Sequence, residues 1–157
     1  MDNDILYDFW DGYTIRHMSL ADVDAVYAIE CEVSPDPWST GIFYECLRVQ
    51  YQCLVLCAPN EAVIGFTVTR VKVGEAHIFN LILRQSYQGQ GLGTRFLKSI
   101  IARSISLGAE EVMLEVRLSN HRAIHIYEKL GFIKVGLREK YYPGNPPEDA
   151  VLYTLKV

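Results

Sequence analysis

The sequence predicts a mixed α/β layer fold, a mostly antiparallel seven-stranded sheet flanked by four helices. Three observations carry this. Extended and helical patterns alternate along the whole chain, in the order β-α-α-β-β-β-α-β-α-β-β. Three successive strands in the first half are separated only by short turns, which makes an antiparallel meander. In the second half a helical pattern lies between two extended ones, which makes a β-α-β crossover.

Tyr13–Met18 reads as the first strand. Ser19 has the character of an N-cap, with Asp22 three residues on, and opens a helix over about Leu20–Cys31. Pro35 and Pro37 make Val33–Trp38 a loop, and Ser39 opens a second helix to about Val49. The meander strands are Gln52–Ala58, Ala62–Val71 and Ala76–Leu83. A helix to Leu107 follows, stopped by Gly108, with Leu92, Phe96, Ile100 and Leu107 as its apolar stripe. Glu111–Val116 is a buried-looking strand. Asn120 caps a short helix that ends near Leu130, just before Gly131. Ile133–Tyr141 and Ala150–Leu155 are the last strands, around a loop at Pro143–Asp149.

The 157 residues fit one domain, with residues 1–12 as an extension containing Tyr7, Phe9 and Trp10. A net charge of −4 argues against a protein that lives by phosphate-backbone contacts, so no direct nucleic-acid partner is expected. No apolar run reaches the ~18 residues that cross a bilayer. The acidic start Met1-Asp2-Asn3-Asp4 lacks the basic region of a signal peptide. A cytoplasmic protein without a membrane partner is the expectation. Cys31, Cys46, Cys53 and Cys57 form no CxxC pair and read as buried, reduced thiols.

Gln88-Gly89-Gln90-Gly91-Leu92-Gly93-Thr94 falls between a strand and a helix start. Glycines let backbone N–H groups approach and turn toward a ligand. A helix start adds unpaired donors and the positive end of a dipole, and together these suit a pyrophosphate. A dinucleotide loop needs GxGxxG, whereas Gly89, Gly91 and Gly93 give GxGxG. A nucleoside-triphosphate loop needs Gly-Lys-Ser/Thr, and here Thr94 and Arg95 follow Gly93. A plain turn capping a helix accounts for the glycines about as well.

Gln88-x-x-Gly91-x-Gly93 matches the Q/R-x-x-G-x-G/A motif of the GNAT acyltransferases, which the chain resembles in element order along nearly its whole length. The resemblance implies acetyl-CoA as co-substrate, its pyrophosphate on Gln88–Thr94 and its pantetheine arm along Leu81, Ile82 and Leu83. Further segments narrow it. They are Pro37-Trp38-Ser39, Leu114-Glu115-Val116-Arg117-x-Ser119-Asn120, Tyr127-Glu128-x-Leu130-Gly131-Phe132, Tyr141-Tyr142-Pro143 and Glu148-Asp149-Ala150. Over about residues 13–155 these are similar to the RimI-type ribosomal-protein N-terminal acetyltransferases. That similarity implies a protein N-terminus as acceptor, the N-terminal alanine of a small-subunit ribosomal protein, attacked directly in a ternary complex. It makes Glu115 the general base, Tyr127 the acid that reprotonates coenzyme A, and Asn120 a pantetheine contact. Pro37, Trp38, Tyr141 and Tyr142 become the walls for the peptide. The stretch Gly144–Pro147 departs from that pattern and bears on substrate selectivity.

The residues also carry blander readings. By periodicity alone Tyr127 lies on the apolar face of its helix with Ala123, Ile124, Ile126 and Leu130, as a core residue would. Glu115 could be a solvated strand-end residue, although Val112, Met113, Leu114 and Val116 around it favour a cleft. Tyr141 and Tyr142 could be an aromatic cluster before a proline turn. His121 and His125 share a polar face without the HExxH pattern, so no metal is expected.

The chemistry favours an α-amine over lysine. An α-amine with pKa ~7.7–8.0 is neutral more readily than a lysine at ~10.4, an advantage of roughly 3.5 kcal/mol. Two rivals remain at this level, a GNAT enzyme for a small-molecule amine or another protein terminus, and a non-catalytic acyl-CoA-binding module.

Overall fold

The computed structural model describes residues 5–157. They group into two compact units. One holds the chain up to Thr69 together with Asn80–Ile100, and the other holds Arg70–Phe79 with Ile101–Val157.

In the first unit, β1 (Ile5–Trp10) and β2 (Tyr13–His17) form an antiparallel pair, and β3 (Gln52–Cys57) and β4 (Val63–Lys72) continue the meander. Neighbouring β4 is β5 (Glu75–Leu83), of which Asn80–Leu83 belongs here. Strand β3 reads Gln-Cys-Leu-Val-Leu-Cys and is buried from Cys53 onward on both faces, as a central apolar run should be. Two helices lie between β2 and β3. A 3-10 turn at Leu20–Asp22 leads into α1 (Val23–Val33), and α2 (Thr40–Arg48) follows. The Ser19 N–H donates to Asp22 Oδ2 at 2.7 Å, one half of the expected cap, while Arg16 grips the same carboxylate at 2.7 and 2.9 Å. Ser39 caps α2 through Ile42 N–H. Helix α3 (Leu92–Ser106) starts in this unit and buries Leu92, Phe96, Leu97 and Ile100.

In the second unit the strand order is β5, β6 (Glu111–Arg117), β8 (Glu148–Lys156), β7 (Ile133–Tyr142). The β5–β6 pair is parallel, as the crossover through α3 requires, and β6–β8 and β7–β8 are antiparallel. Helix α4 (His121–Lys129) precedes β7. Asn120 Oδ1 accepts from Ala123 N–H at 3.2 Å, and Gly131 leaves the helix with φ +101°.

All seven expected strands and four expected helices are present, in the expected order. Four details differ. An eighth strand, β1, forms from the segment the sequence left uninterpreted. Leu107 is exposed, because α3 ends at Ser106 and its last turn carries Ser104 inward instead. Cys31 is exposed on α1, whereas Cys46, Cys53 and Cys57 are buried, and all four are free thiols. The loop expected at Pro143–Asp149 is shorter, because β8 already begins at Glu148, which pairs with Tyr142. Among the described residues no helix is long and apolar enough to cross a membrane.

Candidate active site

The glycine loop is built for close approach. A 3-10 turn at Gln85–Tyr87 ends β5, and the Gln88 side chain reaches back to donate from Nε2 to the Leu83 carbonyl at 2.9 Å. Gly89 and Gly91 have φ of +78° and +82°, a region that L side chains avoid. A Cβ built on Gly89, Gly91 or Gly93 would meet nothing within 4 Å. The loop therefore turns a bare backbone toward open space at the start of a 15-residue helix. Unpaired N–H groups and the helix dipole there fit an anionic group. Leu92 is buried and pins the helix start, while Thr94 is half-buried. Upstream, Leu81 and Ile82 are half-buried and Leu83 is buried. Gly65 of β4 lies beside them, and a Cβ there would come within 2.9 Å of the Ile82 carbonyl.

The loop between α1 and α2 belongs to the same unit. Pro37 is exposed and Trp38 half-buried. The Trp38 ring packs on Phe43 with centroids 5.4 Å apart, and Phe43 meets Phe66 edge-on at 5.4 Å. The Trp38 N–H donates to Glu30 Oε2 at 2.9 Å.

The second unit holds the residues expected to act as base and acid, Glu115 and Tyr127. Glu115 lies on β6 with its side chain 12% exposed, and its Oε2 is 2.7 Å from His77 Nε2 on β5. In the parallel register His77 faces Met113, and Glu115 stands two residues further, on the same face of the pleat. The His77 ring packs on Phe79 at 4.4 Å.

Tyr142 is half-buried. Burial, reinforced by the Glu115 charge, pushes its phenol up to about 12. The Arg117 guanidinium sits 4.2 Å over the Tyr142 ring and bonds Glu148 Oε1 at 3.3 Å, while Glu148 Oε2 accepts the Ser119 N–H at 2.7 Å. The Ser119 bonds, helped by Arg117, hold Glu148 below the usual carboxylate range. Tyr141 is exposed and meets Tyr142 edge-on at 5.0 Å. Tyr127, on α4, packs near Phe132 and Tyr153 with centroids at 5.7 and 6.3 Å. Burial pushes its phenol up to about 12 as well.

Residues 21–132 match the family described as Acetyltransferase (GNAT) family. The chain belongs to the GNAT acetyltransferase family. It is 34% identical over 145 residues to the [Ribosomal protein bS18]-alanine N-acetyltransferase of Salmonella typhimurium, covering 92% of this chain and 97% of that protein. It is 35% identical, with the same coverage, to the protein of that name from Escherichia coli. The crystal structure of the ribosomal-protein-S18-alanine N-acetyltransferase from Escherichia coli superposes with a TM-score of 0.86, covering 92% of this chain and 94% of that one.

Within this acetyltransferase the Glu115 charge acts on the Tyr142 phenol and helps to raise it. Tyr127 is half-buried, on a helix none of whose residues is fully buried, so it is less enclosed than its periodicity suggested. Pushed to about 12, the Tyr127 phenol is a weaker acid than an ordinary tyrosine near ~10, so handing its proton to a thiolate whose acid lies near ~8.5 is uphill. Its surroundings would also disfavour a neighbouring thiolate, which restores part of the balance. Asn120 uses its Oδ1 on the cap, leaving its amide N–H₂ as the group that could meet a ligand. His77, Glu30, Arg117 and Glu148 were not singled out from the sequence as site residues. Arg117 and Glu148 lay inside recognised motifs, so their signal was present but unread.

Proposed function

We propose that this acetyltransferase carries the acetyl group of acetyl-CoA to the α-amine of a protein N-terminus, the N-terminal alanine of a small-subunit ribosomal protein. The observation that carries the chemistry is the Glu115 carboxylate, largely enclosed and paired at 2.7 Å with His77. The acceptor rests on the two relatives with 34–35% identity that are named as alanine N-acetyltransferases of ribosomal protein bS18.

Each role follows from the chain's own groups. Glu115 takes the proton of the incoming ammonium, directly or through one water, and His77 keeps that carboxylate oriented. The freed amine attacks the thioester carbonyl, an N–C bond forms, the C–S bond breaks, and the nitrogen sheds its second proton to solvent water, from which the phenolate left at Tyr127 is reprotonated. Tyr127 supplies the proton to the departing sulfur, and its raised pKa keeps that proton in place at every working pH. Backbone amides of Gln88–Thr94 hold the pyrophosphate, while Leu81, Ile82, Leu83 and Asn120 hold the pantetheine arm. Pro37, Trp38, Tyr141 and Tyr142 receive the peptide. The three Cβ-free positions opening on empty space support the anion role of the loop.

The direct test is incubation with acetyl-CoA and a library of peptides differing in their first residues, read by mass spectrometry. Acetylation at the α-amine of Ala-first peptides is expected. Acetylation confined to lysine side chains or small amines would overturn the reading.

A further inference from the structure

Glu30 is an acidic residue on α1 that the reaction above does not use. It is 2% exposed. A carboxylate so enclosed loses most of its hydration, and ordinarily a cation compensates. Here both bonding partners are neutral. Oε2 accepts the Trp38 N–H at 2.9 Å and Oε1 accepts from Asn80 Nδ2 at 3.2 Å. Burial pushes the Glu30 carboxyl above its ordinary range, with the Trp38 and Asn80 bonds opposing.

The partners give this costly group a purpose. Trp38 lies in the loop that ends in exposed Pro37 on one side and the Ser39 cap of α2 on the other. Asn80 precedes Leu81 on β5, and its own carbonyl accepts from Thr67 Oγ1 at 2.9 Å, a side chain fully buried on β4. A continuous line of hydrogen bonds thus runs from the Trp38 backbone through Glu30 and Asn80 to Thr67. The ring of Trp38 is fixed separately by Phe43. Ring packing sets how deep the loop sits, and the Glu30 bond sets the backbone at Trp38, hence the position of Pro37. One carboxylate with two acceptor oxygens can join a loop N–H to a side-chain N–H₂, which an apolar residue cannot do.

We infer that Glu30 is a positioning residue for the acceptor, tying the Pro37–Trp38 loop to Asn80 of β5 and thereby setting where the incoming peptide lies. This rests on the reading of Pro37 and Trp38 as peptide contacts. Its signature is a KM effect on one substrate only, because no acid–base group and no part of the glycine loop is touched.

Three variants test it. In Glu30→Gln the new amide N–H₂ faces the N–H₂ of Asn80, so that bond is lost while Trp38 keeps an acceptor. The double variant Glu30→Gln/Asn80→Asp exchanges donor and acceptor and restores the bond. Glu30→Ala removes both. Peptide KM is expected to rise five- to tenfold in Glu30→Gln and further in Glu30→Ala, with kcat and the acetyl-CoA KM within twofold of wild type. The double variant is expected to return peptide KM to within twofold. Hydrogen exchange at the Trp38 amide, measured by NMR without any substrate, is expected to quicken at least tenfold in Glu30→Ala. An unchanged Trp38 exchange rate, an equal rise in both KM values, or a double variant no better than Glu30→Gln would overturn the inference. A wild-type enzyme inactive on every peptide, with faster exchange still seen in Glu30→Ala, would fault the peptide reading and leave the loop tether standing.

Discussion

Replacing Gly91 with alanine separates the folding role of the glycine loop from its binding role. Gly91 has φ +82°, and a Cβ there would meet nothing within 4 Å. The cost to the folded enzyme is therefore backbone strain alone, about 1–2 kcal/mol for an L residue in that region. In a chain of 157 residues this lowers Tm by roughly 2–8 °C. The methyl group enters the same open space through which a phosphate must approach. Losing one hydrogen bond to a charged oxygen costs about 1.5–3 kcal/mol. CoA affinity should thus fall roughly 10- to 150-fold. Gly93→Ala is the matched control. Gly93 lies in the first turn of α3 without positive φ, and its Cβ position is also empty. Better helix propensity raises stability by up to ~1 kcal/mol there. The motif admits alanine at that position, so CoA binding should stay within about threefold, roughly 0.6 kcal/mol. Differential scanning calorimetry reads the first effect and isothermal titration with CoA the second. If Gly91→Ala bound CoA like wild type, the loop would not be the pyrophosphate cradle, and the cofactor assignment would fail with it.

Other outcomes follow from the same geometry. Glu115→Gln should lower kcat by about 10²- to 10⁴-fold while leaving CoA affinity unchanged, and a retained kcat in stopped-flow assays would remove Glu115 from the reaction. For Asp22, burial alone would raise the carboxyl, but the Arg16 and Ser19 bonds outweigh it and the net shift is downward. A depressed folded pKa adds stability above the ordinary carboxylate range and loses it as pH falls through the lowered value. Thermal melts should show a steep acid limb that Asp22→Asn flattens, with about 1.5–3 kcal/mol lost at pH 7. An Asp22→Asn melt curve parallel to wild type down to strongly acid pH would contradict this. Iodoacetamide should label the native enzyme once, at Cys31. Cys46, Cys53 and Cys57 are buried, and burial pushes Cys53 up to about 12. Rapid appearance of a second adduct by mass spectrometry would show that the core opens.

Most of the fold was legible because its signals are local. Ser39, Asn120, Gly108 and Gly131 mark helix ends by their own chemistry, and the structure uses them so. The Gln88–Gly93 junction was readable for the same reason. What escaped depends on pairing at a distance. His77 becomes a partner of Glu115 only through the β5–β6 register, which puts residues 38 apart on one pleat face. Glu30 looks like a solvated helix residue until Asn80, 50 positions later, is beside it. Leu107 misled because the helical period was extended one residue past the real end of α3. For β1, Tyr7-Asp8-Phe9-Trp10 lacks the clean alternation that marks a strand, and its pairing with β2 carries two register shifts.

Near its end β7 falls out of step with β8. Four steps from Arg138 to Tyr142 match only two from Ala150 to Glu148. Lys140 takes φ +53° in that bulge, and its N–H is held by Asp149 Oδ1 at 2.8 Å. Glu148 meanwhile braces Arg117 against the face of the Tyr142 ring. Both acidic residues therefore clamp the base of the hairpin from within β8, and the five residues from Pro143 to Pro147 are left outside the clamp. The consequence is modularity. The tip can be exchanged as a cassette without resetting the pleat that aims Tyr142, so exchanging residues 143–147 between relatives should retune which N-termini are accepted while CoA affinity stays constant. Acceptor choice would then diverge by drift in one short turn, with the catalytic pleat inherited intact.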